Sequence, residues 1–201
     1  HDPADPLGSY LRKIYRVPFV WTYAPLQFTV TALLIDPSQG YRQVLFWGRF
    51  PSLLFAATAL VGMVVLIRKA FGESFAGPAV TATAVLAFSW EFIVYSRQME
   101  SYAIGVAAAI ASMLLLLQAM DKRGLSPGRL FLLGAGLAVL STSQYQLWFF
   151  FPSFFATLFL YHWRRGERLL PLTAKLALPA VLVLLCMIAL YSFFLFFKTG
   201  L

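Results

Sequence analysis

Residues 130–163 read LFLLGAGLAVLSTSQYQLWFFFPSFFATLFLYHW, 34 positions without Asp, Glu, Lys or Arg and with a polar centre at Ser141-Thr142-Ser143-Gln144. One helix of that length would run about 50 Å at 1.5 Å per residue, against a hydrocarbon core of about 30 Å. The stretch therefore reads as a hairpin of two short crossings that folds back at its polar centre. Lipid offers no hydrogen bonds, so each crossing has to satisfy its backbone amides internally, as a helix does.

Four more apolar stretches, residues 51–67, 78–95, 103–120 and 172–197, bring the expected number of spans to six. Charge placement agrees with that count. Basic residues gather at Arg68 and Lys69, at Lys122, Arg123 and Arg129, and at Arg164, Arg165, Arg168 and Lys175. These three connections fall on one side of the membrane only if residues 130–163 form a hairpin, and the positive-inside rule makes that side cytoplasmic. Arg42, Arg49, Arg97 and the turn near Gln144 then face the cell exterior or a lumen.

Composition leads to the same place. Of 201 residues 60% are hydrophobic and 12% charged, about half the charge of an average soluble domain. A soluble domain of this length buries only about 70% of its unfolded surface and would have to show the surplus Leu, Phe and Val to water. The net charge of +8 lies in short runs between apolar stretches instead of along one polar face, so it reads as membrane topology and no nucleic-acid partner is expected. One cysteine, Cys186, and two histidines, His1 and His162, build neither a disulfide framework nor a zinc site of the usual spacing. Cys186 reads as a packing residue, and His162, beside Trp163 and Arg164, as an interfacial one. Residue 1 is His and no signal-peptide pattern opens the chain, so it is read as an internal piece of a longer protein.

Residues 1–50 differ in kind, mixing Pro, Asp, Arg and aromatics around one apolar run, residues 26–35, about half a crossing long. With Trp21 and Tyr23 beside it, that run reads as a juxtamembrane helix lying in the interface. The expected fold is an all-α polytopic transmembrane bundle of about six spans. Residues 1–50 form an external or periplasmic loop with the interfacial helix, and residues 51–201 form the bundle. Gly105, Ala109 and the neighbouring alanines are expected to let two helices approach closely.

Four strings in order carry a family resemblance: Tyr23-Ala24-Pro25-Leu26-Gln27-Phe28, Arg49-Phe50-Pro51-Ser52-Leu53-Leu54-Phe55, Tyr95-Ser96-Arg97-Gln98-Met99-Glu100-Ser101-Tyr102, and Ser143-Gln144-Tyr145. The chain resembles the GT-C superfamily of membrane glycosyltransferases, in the branch of protein O-mannosyltransferases and the lipid A aminoarabinose transferase. The family pattern has an Asp-Glu pair in the first external loop, where this chain has Asp2-Pro3 and Asp5-Pro6, and often Arg where this chain has Glu100.

The resemblance implies transfer of a sugar, with inversion, from a polyprenyl-phosphate donor to an acceptor hydroxyl at the external or lumenal face. The acceptor is a protein, lipid or glycan, and membrane lipids surround the whole. The setting is a bacterial or archaeal plasma membrane in preference to the endoplasmic reticulum. Such chemistry needs a base, cationic partners for the departing phosphate and a groove for the lipid. A loop carboxylate can serve as base, first Asp2 and then Asp5, although Asp before Pro also commonly turns a loop. Phosphate contact falls to Arg97, Arg49 and the loop cluster Arg12, Lys13 and Arg16, any of which can equally anchor to headgroups.

Glu91 lies inside an apolar span, where a carboxylate costs a few kcal/mol unless it is paired or faces a wet cavity. On a continuous helix Glu91, Tyr95, Gln98 and Tyr102 would share one polar strip. Either Glu91 pairs with an Arg of another helix or it contacts sugar or acceptor. Glu100 lies three residues after Arg97 and can pair with it. Tyr102, Gln144 and Tyr145 complete the substrate-binding candidates, with an aromatic belt as the alternative for the tyrosines. Relatives of this kind include binders of a divalent ion, but no complete ligand set is found, and no cofactor is expected beyond the lipid-linked sugar itself. A Gly-rich phosphate loop, His-Glu-x-x-His and Gly-x-Ser-x-Gly are absent, so nothing points to a nucleotide-sugar donor. A different class, a transporter or flippase of a lipid-linked or small anionic substrate, would use the same outward Arg residues and Glu91. A purely structural subunit, its polar residues only pairing helices, is a third reading.

Overall fold

A computed structural model describes residues 30, 31, 33, 34, 40–96, 102–120, 125–143 and 147–199. The described chain is an all-α bundle with no strand among those residues. In order come α1 (Tyr41–Phe71), a 3-10 turn (Glu73–Phe75), α2 (Ala76–Phe88), α3 (Trp90–Ser96), α4 (Tyr102–Ala119), α5 (Pro127–Ser141), α6 (Leu147–Arg164) and α7 (Leu169–Thr199). Val30, Thr31, Leu33 and Leu34, within the run read as interfacial, are helical.

The hairpin read from residues 130–163 is present, and its polar centre ends the first helix by a local mechanism. The last carbonyls of a helix lack intrahelical donors. Here Ser141 Oγ donates to Ala138 O, Thr142 Oγ1 to Val139 O and Ser143 Oγ to Leu140 O, each at 2.6 Å. At its other end α5 starts with Ser126 as N-cap, which accepts from the Arg129 N–H, and with Pro127 in the first turn, where its missing N–H has no cost. α5 has 15 residues and α6 18, about 23 and 27 Å of rise, so each is shorter than the roughly 30 Å hydrocarbon core.

Two expectations need correction. The first span does not begin at Pro51, and the boundary drawn at residue 50 falls inside α1, which starts ten residues earlier, after Gly40. The extra turns carry Arg42 and Arg49, which lowered the apolar signal there. Pro51 is buried inside the helix, which continues through it. The second span, expected to be continuous over residues 78–95, breaks at Ser89. Its side chain donates to Leu86 O at 2.9 Å and accepts from Phe92 N–H at 3.3 Å, closing α2 and capping α3 with one hydroxyl.

Among the described residues three helices are long and apolar enough to cross a membrane, over Arg42–Phe71, Tyr102–Ala119 and Leu169–Ala189. Their outer faces show large apolar side chains, among them Leu53, Val61, Leu184 and Ile188. That exposure would be costly in water and is what lipid requires. The core lies between α4, α5, α6 and α7. It is built from Leu130, Leu133 and Leu137, from Phe151, Phe154 and Leu158, and from Leu172, Leu176 and Val183, each set spaced to share one helix face.

Small residues set the closest approaches. On α1, Gly48, Ser52, Ala56 and Ala59 are buried along one stripe, and α1 packs on α4, whose Gly105 and Ala108 are buried in turn. The small-residue packing expected near Gly105 is therefore present. On α5, a Cβ added at Gly134 would lie 2.9 Å from Pro179 Cα of α7, so only glycine lets these two backbones meet.

Contacts also fix direction. Gly134 meets Pro179 and Leu182, and Cys186 Sγ lies 3.5 Å from Ala138 O, so α5 and α7 run parallel with α6 returning between them. Gly136 meets Leu115, while Gln118 and Ala119 share a cavity with Arg129 and Leu132, so α4 runs antiparallel to α5. The end of α4, the start of α5, the end of α6 and the start of α7 therefore lie together. Arg129, Arg164, Arg165, Arg168 and Lys175, from two of the three basic connections, share that end.

Candidate functional site

Of the residues singled out for chemistry, Arg49, Glu91 and Tyr102 lie among the described ones. α3 packs against both α1 and α4, so the helices that carry Arg49 and Glu91 and the helix that opens at Tyr102 are mutual neighbours. Arg49 is exposed and has no ion-pair partner among the described residues. Tyr102 is half-buried as the first residue of α4.

Glu91 is exposed, and the buried ion pair with an arginine of another helix is absent among the described residues. The break at Ser89 explains the difference. It turns Glu91 from a mid-span residue into a first-turn residue of α3. A carboxylate there gains about 0.3–1 kcal/mol from the free N–H groups at the helix start. Glu91 and Tyr95 sit one turn apart on α3, and Tyr102 lies on α4. Gln98 of the proposed strip lies outside the described residues, as do Asp2, Asp5, Arg12, Lys13, Arg16, Arg97, Glu100, Gln144 and Tyr145. The Ser141, Thr142 and Ser143 hydroxyls spend their protons on α5 carbonyls. Among the described residues no three His, Cys, Asp or Glu side chains gather as a metal site.

The basic end contains a constellation that sequence reasoning missed. His162, read as an interfacial residue, is 2% exposed. Its Nε2 donates to the Ala119 carbonyl at 3.1 Å, and its Nδ1 lies 2.8 Å from Glu167 Oε1. Lys175 Nζ donates to the other Glu167 oxygen at 2.9 Å. The Lys175 hydrogen bond, followed by that from His162, holds the Glu167 carboxyl below its ordinary pKa against the opposing effect of partial burial.

Local chain geometry delivers Glu167 to this spot. Gly166 takes φ +88, the left-handed conformation that ends a helix, and the N–H groups of Arg165 and Glu167 both donate to His162 O. The imidazole thus joins the end of α4 to the turn between α6 and α7. No local pattern announces a contact between residues 43 positions apart.

This is an integral membrane protein: a helical bundle with a cluster of basic residues at one end. A family model described as dolichyl-phosphate-mannose-protein mannosyltransferase matches residues 42–193. The chain belongs to that family, a GT-C type of membrane glycosyltransferase that uses polyprenyl-phosphate-linked sugars as donors. No curated protein and no solved structure matches it significantly.

Proposed function

We propose that the chain transfers a sugar from a polyprenyl-phosphate donor to an acceptor hydroxyl on the external or lumenal side of a bacterial or archaeal plasma membrane. Asp2, with Asp5 second, takes the hydroxyl proton. The freed oxygen attacks the anomeric carbon with inversion, the bond from that carbon to the phosphate oxygen breaks, and polyprenyl phosphate departs. Arg97 and Arg49 meet the charge that develops on the leaving phosphate, where a guanidinium in a partly dry site acts with bidentate geometry. Arg12, Lys13 and Arg16 assist from the loop. Glu91, Glu100, Tyr102, Gln144 and Tyr145 contact sugar or acceptor. The acceptor is a protein, lipid or glycan hydroxyl.

The observation that carries this reading is the family match over residues 42–193. The helix arrangement supports it: the helices that bear Arg49 and Glu91 and the helix begun by Tyr102 neighbour one another. The test is Asp2→Asn in a membrane transfer assay with a polyprenyl-phosphate sugar. Transfer is expected to fall by about two to four orders of magnitude, the usual worth of a general base, with expression and insertion unchanged. Full activity of this variant removes Asp2 from the mechanism.

A further inference from the structure

Between α6 and α7, on the half of the bundle nearest the basic end, runs an open crevice of about 510 Å³. Phe155 and Phe159 wall one side, and Ala156, Ala177 and Ala180 leave the furrow. Its volume lies in the range that holds an organic ligand. Thr173 is the one polar side chain lining it, and its hydroxyl already donates to Leu170 O at 2.8 Å. Nothing along the floor calls for a polar ligand.

The mouth is different. Leu160 lines the crevice, and one helical turn further along the same face stands Arg164. Trp163, half exposed, packs on the Phe159 ring with centroids 6.3 Å apart, placing an aromatic of the headgroup level at the rim. Arg168 stands where the chain enters α7, five residues before Thr173. Glu167 does not neutralise these cations, because its two oxygens are held by Lys175 and His162. Arg165 lies over the Tyr161 ring. Arg164 and Arg168 are exposed and have no acidic partner among the described residues.

We propose that this crevice seats one anionic glycerophospholipid from the leaflet at the basic end, its acyl chain along Phe155, Phe159 and Leu176 and its phosphate between Arg164 and Arg168. An apolar furrow that ends in an aromatic rim and two unneutralised guanidiniums matches, in order, the acyl chain, glycerol level and phosphate of such a lipid. The seat makes no use of the transfer chemistry.

The test is native mass spectrometry of the purified chain in detergent, titrated with dioleoyl phosphatidylglycerol or dioleoyl phosphatidylcholine. Wild type is expected to retain one phosphatidylglycerol at concentrations where phosphatidylcholine is lost. The double variant Arg164→Gln/Arg168→Gln is expected to weaken phosphatidylglycerol roughly thirtyfold, the worth of two interfacial guanidinium contacts, and to leave phosphatidylcholine unchanged. Ala177→Phe adds volume at an exposed position and is expected to abolish retention of the bound lipid with the fold intact. Equal retention by wild type and the double variant overturns the proposal, as does unchanged binding in Ala177→Phe. A wild-type dimer that Ala177→Phe converts to monomer also overturns it, because a second copy then fills the crevice.

Discussion

Gly134→Ala isolates the energetic effect of a close backbone approach between α5 and α7. The new methyl would lie 2.9 Å from Pro179 Cα, 3.2 Å from Pro179 Cβ and 2.9 Å from Leu182 Cδ1. Carbon pairs are at their optimum at about 3.5–4.0 Å. Leu182 can turn away, but Pro179 Cα belongs to the backbone of α7, so the two helices must separate along a contact that also holds Leu133, Leu137, Leu176 and Val183. Overpacking of that kind costs about 1–3 kcal/mol, offset by about 1 kcal/mol for replacing a helical glycine with alanine.

Gly136→Ala, two residues along the same helix, is the control. Its methyl would meet only Leu115 Cδ1 at 2.9 Å, the far end of a flexible side chain. A shifted rotamer costs about 0.5–1.5 kcal/mol, which roughly cancels the same helix gain. Gly136→Ala should therefore be near neutral and Gly134→Ala less stable than it by about 1–2 kcal/mol. Unfolding of the purified proteins in mixed detergent micelles, titrated with dodecyl sulfate and followed by circular dichroism, measures the difference. If Gly134→Ala proves as stable as Gly136→Ala, the backbones of α5 and α7 do not meet at Gly134.

Three further expectations concern the basic end and the topology. Glu167 has a lowered pKa in the folded state, so its contribution is complete above its unfolded value and lost as pH falls through the folded one. The stability difference between wild type and Glu167→Gln should shrink from about pH 6 to about pH 3, and a difference constant over that range would contradict the pairing with Lys175 and His162. His162→Phe keeps an aromatic ring but strips the Ala119 carbonyl of its donor, and should cost about 1–3 kcal/mol in the same unfolding assay. In a Cys186→Ala background, a cysteine at Arg165 should react with an impermeant maleimide only after the membrane is opened, and one at Arg49 in intact cells. The reverse pattern would invert the orientation.

What the sequence discloses here depends on how local the physical cause is. The turn at Ser141 to Ser143 was legible because hydroxyls inside an apolar run can serve only the carbonyls just behind them, and those carbonyls end the helix. The close packing around Gly105 was legible because small residues in lipid have little other use. The start of α1 was not, since Arg42 and Arg49 dilute the apolar signal while the helix continues through them. The break at Ser89 was hidden for a different reason. One serine between Phe88 and Trp90 leaves the hydropathy unchanged, and its effect arises from two hydrogen bonds of a single oxygen. That break alone changed the reading of Glu91, from a buried charge in need of an arginine to a carboxylate at a helix start. The burial of His162 was invisible because its partner carbonyl belongs to a different helix.

The imidazole bridge also constrains how the protein is made. Chain segments leave the ribosome in order, so α4 enters the bilayer two crossings before His162 is synthesised. Through that interval the imidazole that donates to the Ala119 carbonyl is absent. The junction closes once the turn carrying Glu167 has emerged, fixing the earlier helix to the later pair. Insertion and assembly are in this way separate events, and the second is completed at the basic surface.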